Sequence, residues 1–227
     1  MDGARRFGQV WDSREVGMLD GVMRRAIDPA VNRMGRTMAA RGVSADAVTL
    51  TGLALGLLAA AVIAGGGPTW LALLPLLAGR LADGLDGAVA RASQTTDFGG
   101  FLDIACDFLF YGVIPLAFVV RDPGANGVAG AFLLCSFYVN GATFLGYAIL
   151  AAKRGMETAG RGQKSLYFTA GLLEGTETIA LFVAFCLWPA GFAPLAWVFG
   201  ALCFVTAGSR VLLARRVFSN PVPMARK

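Results

Sequence analysis

The sequence predicts an all-α integral membrane protein, six transmembrane helices preceded by an amphipathic helix lying on the membrane surface. Three observations lead there. Hydrophobic residues make up 56% of the 227 and charged residues 15%, with a mean hydropathy of +0.61, so lipid must solvate much of the chain. Apolar stretches of about 20 residues recur, the length a helix needs to cross a bilayer core. Short breaks separate several of them: Gly65-Gly66-Gly67-Pro68, Pro123-Gly124 and Pro189-Ala190-Gly191.

Taken in order, residues 1–14 are polar and hold no apolar segment of the kind a cleavable signal carries, so a polar cytoplasmic N-terminus is expected. Over residues 15–41, Val16, Leu19, Val22, Met23, Ile27, Val31, Met34 and Met38 recur at helical spacing, with Arg24, Arg25, Arg33 and Arg36 elsewhere. That pattern predicts an interfacial helix, bent at Pro29. Six spans follow, at Ala47–Gly65, Thr69–Arg91, Phe98–Val120, Ala125–Ala152, Leu166–Trp188 and Phe192–Leu213. Together, residues 47–213 read as one six-helix domain, and residues 214–227 as a basic cytoplasmic tail.

Basic residues set the expected orientation. Arg5, Arg6, Arg14, Arg24, Arg25, Arg33, Arg36 and Arg41 precede the first span. Lys153, Arg154, Arg161 and Lys164 lie between spans four and five, and Arg215, Arg216, Arg226 and Lys227 follow span six. The opposite side has Arg121 alone. By the positive-inside rule both termini face the cytoplasm. The net charge of +5 then describes a face attracted to anionic membrane lipid, and nothing points to nucleic acid.

Histidine is absent, which excludes His-based triads, His-ligated zinc and any imidazole base. Cys106, Cys135, Cys186 and Cys203 are widely spaced within apolar stretches and form no CxxC pair; they read as small buried hydrophobes. Chemistry is left to carboxylates, Lys or Arg, hydroxyls, or metals held by oxygen.

Ionisable groups inside spans are costly and point to function. Asp83 and Asp86 are i, i+3 on span two; Asp103 and Asp107 are i, i+4 on span three, so each pair occupies one helical face. Counting from the expected cytoplasmic ends, Asp83 lies roughly 12 Å and Asp86 roughly 8 Å deep, Asp103 roughly 9 Å and Asp107 roughly 15 Å. Packed antiparallel, the pairs converge. Four converging carboxylates need cations to remain ionised, and two hard divalent ions, Mg²⁺ or Mn²⁺, match an oxygen-only donor set. Paired metals are a recurring device for phosphoryl transfer. Gly84, Gly87, Gly99 and Gly100 leave room for a nucleotide or phosphate, or serve helix packing.

Asp83-Gly-Leu-Asp86-Gly87-Ala-Val-Ala90-Arg91, followed by Gly99, Asp103 and Asp107, resembles the CDP-alcohol phosphotransferase signature, DxxDGxxAR, a spacer, then GxxxDxxxD. Every signature position is filled. Seven residues separate Arg91 from Gly99, where many members have eight; counting from Gly100 would put the aspartates out of register. The likeness extends to the six-span layout, the N-terminal helix and Ser44-Ala-Asp-Ala-Val48-Thr49 at the start of span one. Gly171-Leu-Leu-Glu174-Gly-Thr-Glu177-Thr resembles a poorly characterised bacterial branch of that family.

The resemblance implies metal ligation by Asp83, Asp86 and Asp103, with Asp107 completing the site and deprotonating the acceptor hydroxyl. It implies that Gly87, Ala90 and Arg91 line a CDP site with Thr49 nearby, although Arg91 also suits an interfacial anchor and Thr49 a helix start. Arg80 lies one turn before Asp83 and matches no signature position; its role stays open. Asp97 is expected to cap span three. For an acceptor carrying a phosphate, Lys153, Arg154, Arg161, Lys164 and Arg210 are candidate cations, the first four equally explained by topology. Glu174 and Glu177 suit the hydroxyls of a polyol or pairing with a cation such as Arg210.

The activity implied is transfer of a phosphatidyl group from CDP-diacylglycerol to a small hydroxylated acceptor (polyol, polyol phosphate or serine) with release of CMP, in a bacterial inner membrane and from a possible homodimer. One alternative is a soluble CDP-alcohol donor with a lipid acceptor. Another, of a different class, is a divalent-cation transporter lined by the same carboxylates, but no acids on spans four or six continue a path across.

Overall fold

The computed structural model describes residues 18–156 and 175–219, and among these the regular structure is entirely helical. Seven α-helices follow in order: α1 (Met18–Ala40), α2 (Ala45–Ala64), α3 (Leu73–Ala92), α4 (Asp97–Arg121), α5 (Pro123–Lys153), α6 (Gly175–Leu187) and α7 (Phe192–Phe218). One-turn 3₁₀ helices at Thr69–Ala72 and Pro189–Gly191 lead into α3 and α7. Four segments are long and apolar enough to cross a membrane: α2, α4, α5, and α7 with its leading turn. Two of the six expected spans differ. α3 carries Arg80, Asp83, Asp86 and Arg91 within its 20 residues, and α6 has 13 described residues, the first part of its expected span lying outside the description. Large apolar side chains such as Leu74, Val128 and Ile149 point outward, as they do where lipid is the solvent.

Local chemistry explains where the helices stop. α1 runs through Pro29 as one helix and ends at Ala40; the turn after it uses Gly42, whose φ of 80° few other residues adopt. Ser44 caps α2, its hydroxyl accepting from the Ala47 N–H at 3.2 Å. The expected second span opens as a 3₁₀ turn because Pro68 and Pro75 flank its start. Pro75, lacking an N–H, fits the first turn of α3, where no intrahelical partner is needed. A single residue, Asp122, joins α4 to α5 and caps the latter through Ala125 N–H at 3.0 Å. Thr96, not Asp97, caps α4: its hydroxyl accepts from the Gly99 N–H at 2.9 Å. Asp97 is instead the first helical residue, where its charge favours the helix N-terminus without capping it.

α2 packs against both α3 and α4, α1 lies on α3, and α5 pairs with α7. The α2–α3 crossing is a backbone contact. A Cβ added at Gly52 would sit 3.0 Å from the Gly79 carbonyl oxygen, and one at Gly79 only 2.8 Å from that of Gly52. Small residues allow such an approach, and in lipid, close packing rather than water exclusion joins helices. The main core occupies one end of the bundle, where Phe110 and Phe118 of α4 meet Phe182 and Phe185 of α6 and Phe192 of α7, all fully buried. Phe118 stacks on Phe192 at 5.1 Å between centroids. Arg121, the lone cation expected on that side, donates to the carbonyls of Ile63 (3.2 Å) and Gly67 (2.6 Å) at the end of α2. The other end of the bundle, at the C-termini of α3, α5 and α7 and the N-termini of α2 and α4, holds Asp83, Asp86, Asp103 and Asp107.

Candidate functional site

α3 and α4 run antiparallel, so residues early in one face residues late in the other. This brings Asp83, Asp103 and Asp107 together: one carboxylate oxygen from each lies within 4.8 Å of the others, and all three side chains are partly buried. Asp86, one turn along α3, is 6% exposed and accepts a 2.6 Å hydrogen bond from the Thr49 hydroxyl. The Gly52–Gly79 contact sets up that bond, since Thr49 is one turn before Gly52 on α2 and Asp86 two turns beyond Gly79 on α3. The Ala45 carbonyl, 3.1 Å from the same Thr49 hydroxyl, competes for its single proton as the weaker acceptor. Thr49 thus sits in the first turns of α2 and touches a signature aspartate as well.

Arg80 enters the cluster from α3. It donates to Asp107 at 2.8 Å and lies 3.6 Å from Asp83, with its guanidinium carbon 3.9 Å from the centre of the Phe110 ring. Its position three residues before Asp83 made the first pairing legible. The link to Asp107, 27 residues on, was not. Arg91 is exposed and donates to Asn32 of α1 at 3.2 Å, a partner that no motif marks. Gly87 and Ala90 share its helix, and a Cβ at Gly87 would lie 3.3 Å from Arg91 Nη1. Of the two candidate signature glycines, Gly99 is the crowded one, 3.0 Å from Thr96 Oγ1 and 3.2 Å from Asp46 Oδ1 for an added Cβ; Gly84 and Gly100 face open space.

The acceptor candidates separate into different environments. Arg210 of α7 is 6% exposed, and its Nη1 donates to the Asn140 carbonyl (3.0 Å), Asn140 Oδ1 (2.8 Å) and Thr143 Oγ1 (2.9 Å) on α5. Those two polar residues carried no sequence signal. Arg154 donates to the carbonyls of Val217 (3.1 Å) and Phe218 (2.8 Å), so it caps the C-terminus of α7. Lys153 is exposed at the end of α5, and Glu177 is exposed in the first turn of α6. Arg161, Lys164 and Glu174 lie outside the described residues.

The chain has no histidine, and among the described residues three clustered carboxylates with a fourth one turn away form a donor set of hard oxygens. They fit Mg²⁺ or Mn²⁺, which prefer such ligands, far better than zinc or copper.

A family model described as CDP-alcohol phosphatidyltransferase matches residues 43–208. The inner membrane protein YnjF of Escherichia coli K12 is 47% identical over 196 residues, covering 86% of this chain and 94% of that protein. An archaetidylinositol phosphate synthase of Methanothermobacter thermautotrophicus is 31% identical over 200 residues, covering 87% and 90%. The fold is similar to the crystal structure of Mycobacterium tuberculosis phosphatidylinositol phosphate synthase with CDP-DAG bound, with a TM-score of 0.60 at 21% identity over 87% of this chain and 98% of that one.

Proposed function

Because the chain belongs to the CDP-alcohol phosphatidyltransferase family, a family of transferases, we propose that it moves a phosphatidyl group from CDP-diacylglycerol to a small hydroxylated acceptor and releases CMP. The observation that carries this reading is the convergence of Asp83, Asp103 and Asp107 from the two halves of the signature. Asp83, Asp86, Asp103 and Asp107 would hold two divalent cations, Mg²⁺ or Mn²⁺, which supply positive charge against the transferred phosphate and its leaving group.

The residues divide the remaining work. Arg91, with Gly87, Ala90 and Thr49 nearby, receives the CDP moiety, its guanidinium suited to a phosphate. Asp107 takes the proton of the acceptor hydroxyl. A bond then forms from the acceptor oxygen to the phosphorus bearing diacylglycerol, while the bond from that phosphorus to the CMP oxygen breaks, with attack and departure in line. Arg210, held by Asn140 and Thr143, is the strongest acceptor candidate, because it is a buried cation at the same end of the bundle. Arg154 already caps α7 and contributes less; Lys153, Arg161, Lys164, Glu174 and Glu177 remain candidates at the mouth.

The finer architecture belongs to the same proposal: six spans, an interfacial α1, and both termini and the active site cytoplasmic in a bacterial inner membrane. A homodimer completes it. The E. coli relative is named as an inner membrane protein, which supports the location. The archaeal relative is named for making an inositol phosphate lipid, so inositol phosphate heads the acceptors to test. Purified protein given CDP-diacylglycerol and Mg²⁺ or Mn²⁺ is offered glycerol 3-phosphate, serine, inositol and inositol phosphate in turn. CMP release with one of them is expected; release with none, at any divalent metal, contradicts the assignment.

A further inference from the structure

We propose that Arg80 is a built-in counter-cation of the acidic site, a positioning residue that competes with divalent metal for the aspartates while holding Asp107 in place for proton transfer. The proposal rests on the metal-site reading above and adds a residue that no signature position covers.

The side chain of Arg80 is 9% exposed, and a guanidinium with so little contact to solvent needs anionic partners. It has them in Asp107 at 2.8 Å and Asp83 at 3.6 Å, the two outer members of the sequence run that forms the site. Its guanidinium carbon lies 3.9 Å from the centre of the Phe110 ring, a cation–π contact that restricts where its N–H groups can sit. The buried Nε has no hydrogen-bond partner. Phe110 is fully buried in the aromatic core, so the platform beneath Arg80 is rigid.

Two consequences follow from charge and geometry. A fixed positive charge beside Asp83 and Asp107 opposes the arrival of a divalent ion, so Arg80 lowers metal affinity while keeping the metal-free cluster compact. By holding one oxygen of Asp107, it also restrains the orientation of that carboxylate toward an acceptor hydroxyl, and orientation is a large part of a base's effectiveness.

The test compares wild type, Arg80→Met and Arg80→Lys by Mn²⁺ binding, read from the electron paramagnetic resonance of free Mn²⁺, and by thermal unfolding in chelator and in saturating Mn²⁺. Arg80→Met is expected to bind Mn²⁺ about three- to tenfold more tightly and to lose more unfolding temperature in chelator than in Mn²⁺. Arg80→Lys, which keeps the charge and loses the planar fork, is expected to bind Mn²⁺ about as wild type does, yet to release CMP more slowly at unchanged KM for the donor. Weaker or unaltered Mn²⁺ binding by Arg80→Met, with the same temperature loss in both conditions, would mark a purely structural residue and overturn the proposal. Should Arg80→Met fail to fold, a change in Mn²⁺ affinity in Arg80→Lys overturns it instead. Absence of Mn²⁺ binding by wild type itself would sink the metal reading underneath, a result distinct from either.

Discussion

At Thr49 one hydroxyl meets both a backbone carbonyl of its own helix and the buried carboxylate of Asp86. Thr49→Val keeps the shape and removes the donor. Leaving a buried carboxylate short of a partner costs about 1–3 kcal/mol, so a lower unfolding temperature in detergent and a raised KM for the donor are expected, with Thr49→Ser restoring both. An unchanged KM in Thr49→Val would separate Thr49 from donor binding. At this scale the aspartates themselves were legible, because carboxylates in apolar helices are rare and their i, i+3 and i, i+4 spacing assigns a face. Their partners were not. Asn32, Asn140 and Thr143 are ordinary polar residues whose contacts with Arg91 and Arg210 exist only once α1 lies on α3 and α5 on α7. Asp97 misled because both it and Thr96 are good caps, and only backbone geometry decides which of two adjacent residues takes the position.

Between elements, the α2–α3 crossing governs the site's construction, since it sets Thr49 against Asp86 and fixes the depth at which Asp83 meets α4. Gly79→Ala would drive a Cβ to 2.8 Å from a backbone oxygen that cannot rotate away. Overpacking of this kind costs about 1–3 kcal/mol, and circular dichroism melts in detergent should show it. Gly84→Ala on the same helix faces open space and should melt as wild type does. Equal melting of the two variants would remove the crossing from this account. Most helix limits were readable within a few residues from the Ser44 entry to the first span and from the Gly/Pro breaks at 65–68, 123–124 and 189–191. The 3₁₀ start before α3 was missed, because hydropathy does not register where prolines interrupt hydrogen bonding.

Across the whole molecule, composition alone marked lipid as the solvent, and apolar stretches placed most of the helices. Beyond the convergence of spans two and three that the aspartates implied, which helices touch was not legible, since in a membrane almost every face is apolar and periodicity loses its contrast. The bundle resolves this by segregation: aromatic packing among Phe110, Phe118, Phe182, Phe185 and Phe192 fills one end, and the carboxylates gather at the other. The two regions meet at Phe110 of α4, which is buried in the aromatic core and lies 3.9 Å from the Arg80 guanidinium carbon. The central claim is that these carboxylates, loaded with divalent metal, transfer a phosphatidyl group. Its most direct test is CMP release from CDP-diacylglycerol by reconstituted wild type and Asp107→Asn, each with the accepted alcohol, in Mg²⁺ and in chelator. Release by wild type that requires Mg²⁺ and falls about 10²- to 10⁴-fold in the variant is predicted; release that persists in chelator, or that Asp107→Asn sustains at the wild-type rate, would contradict it.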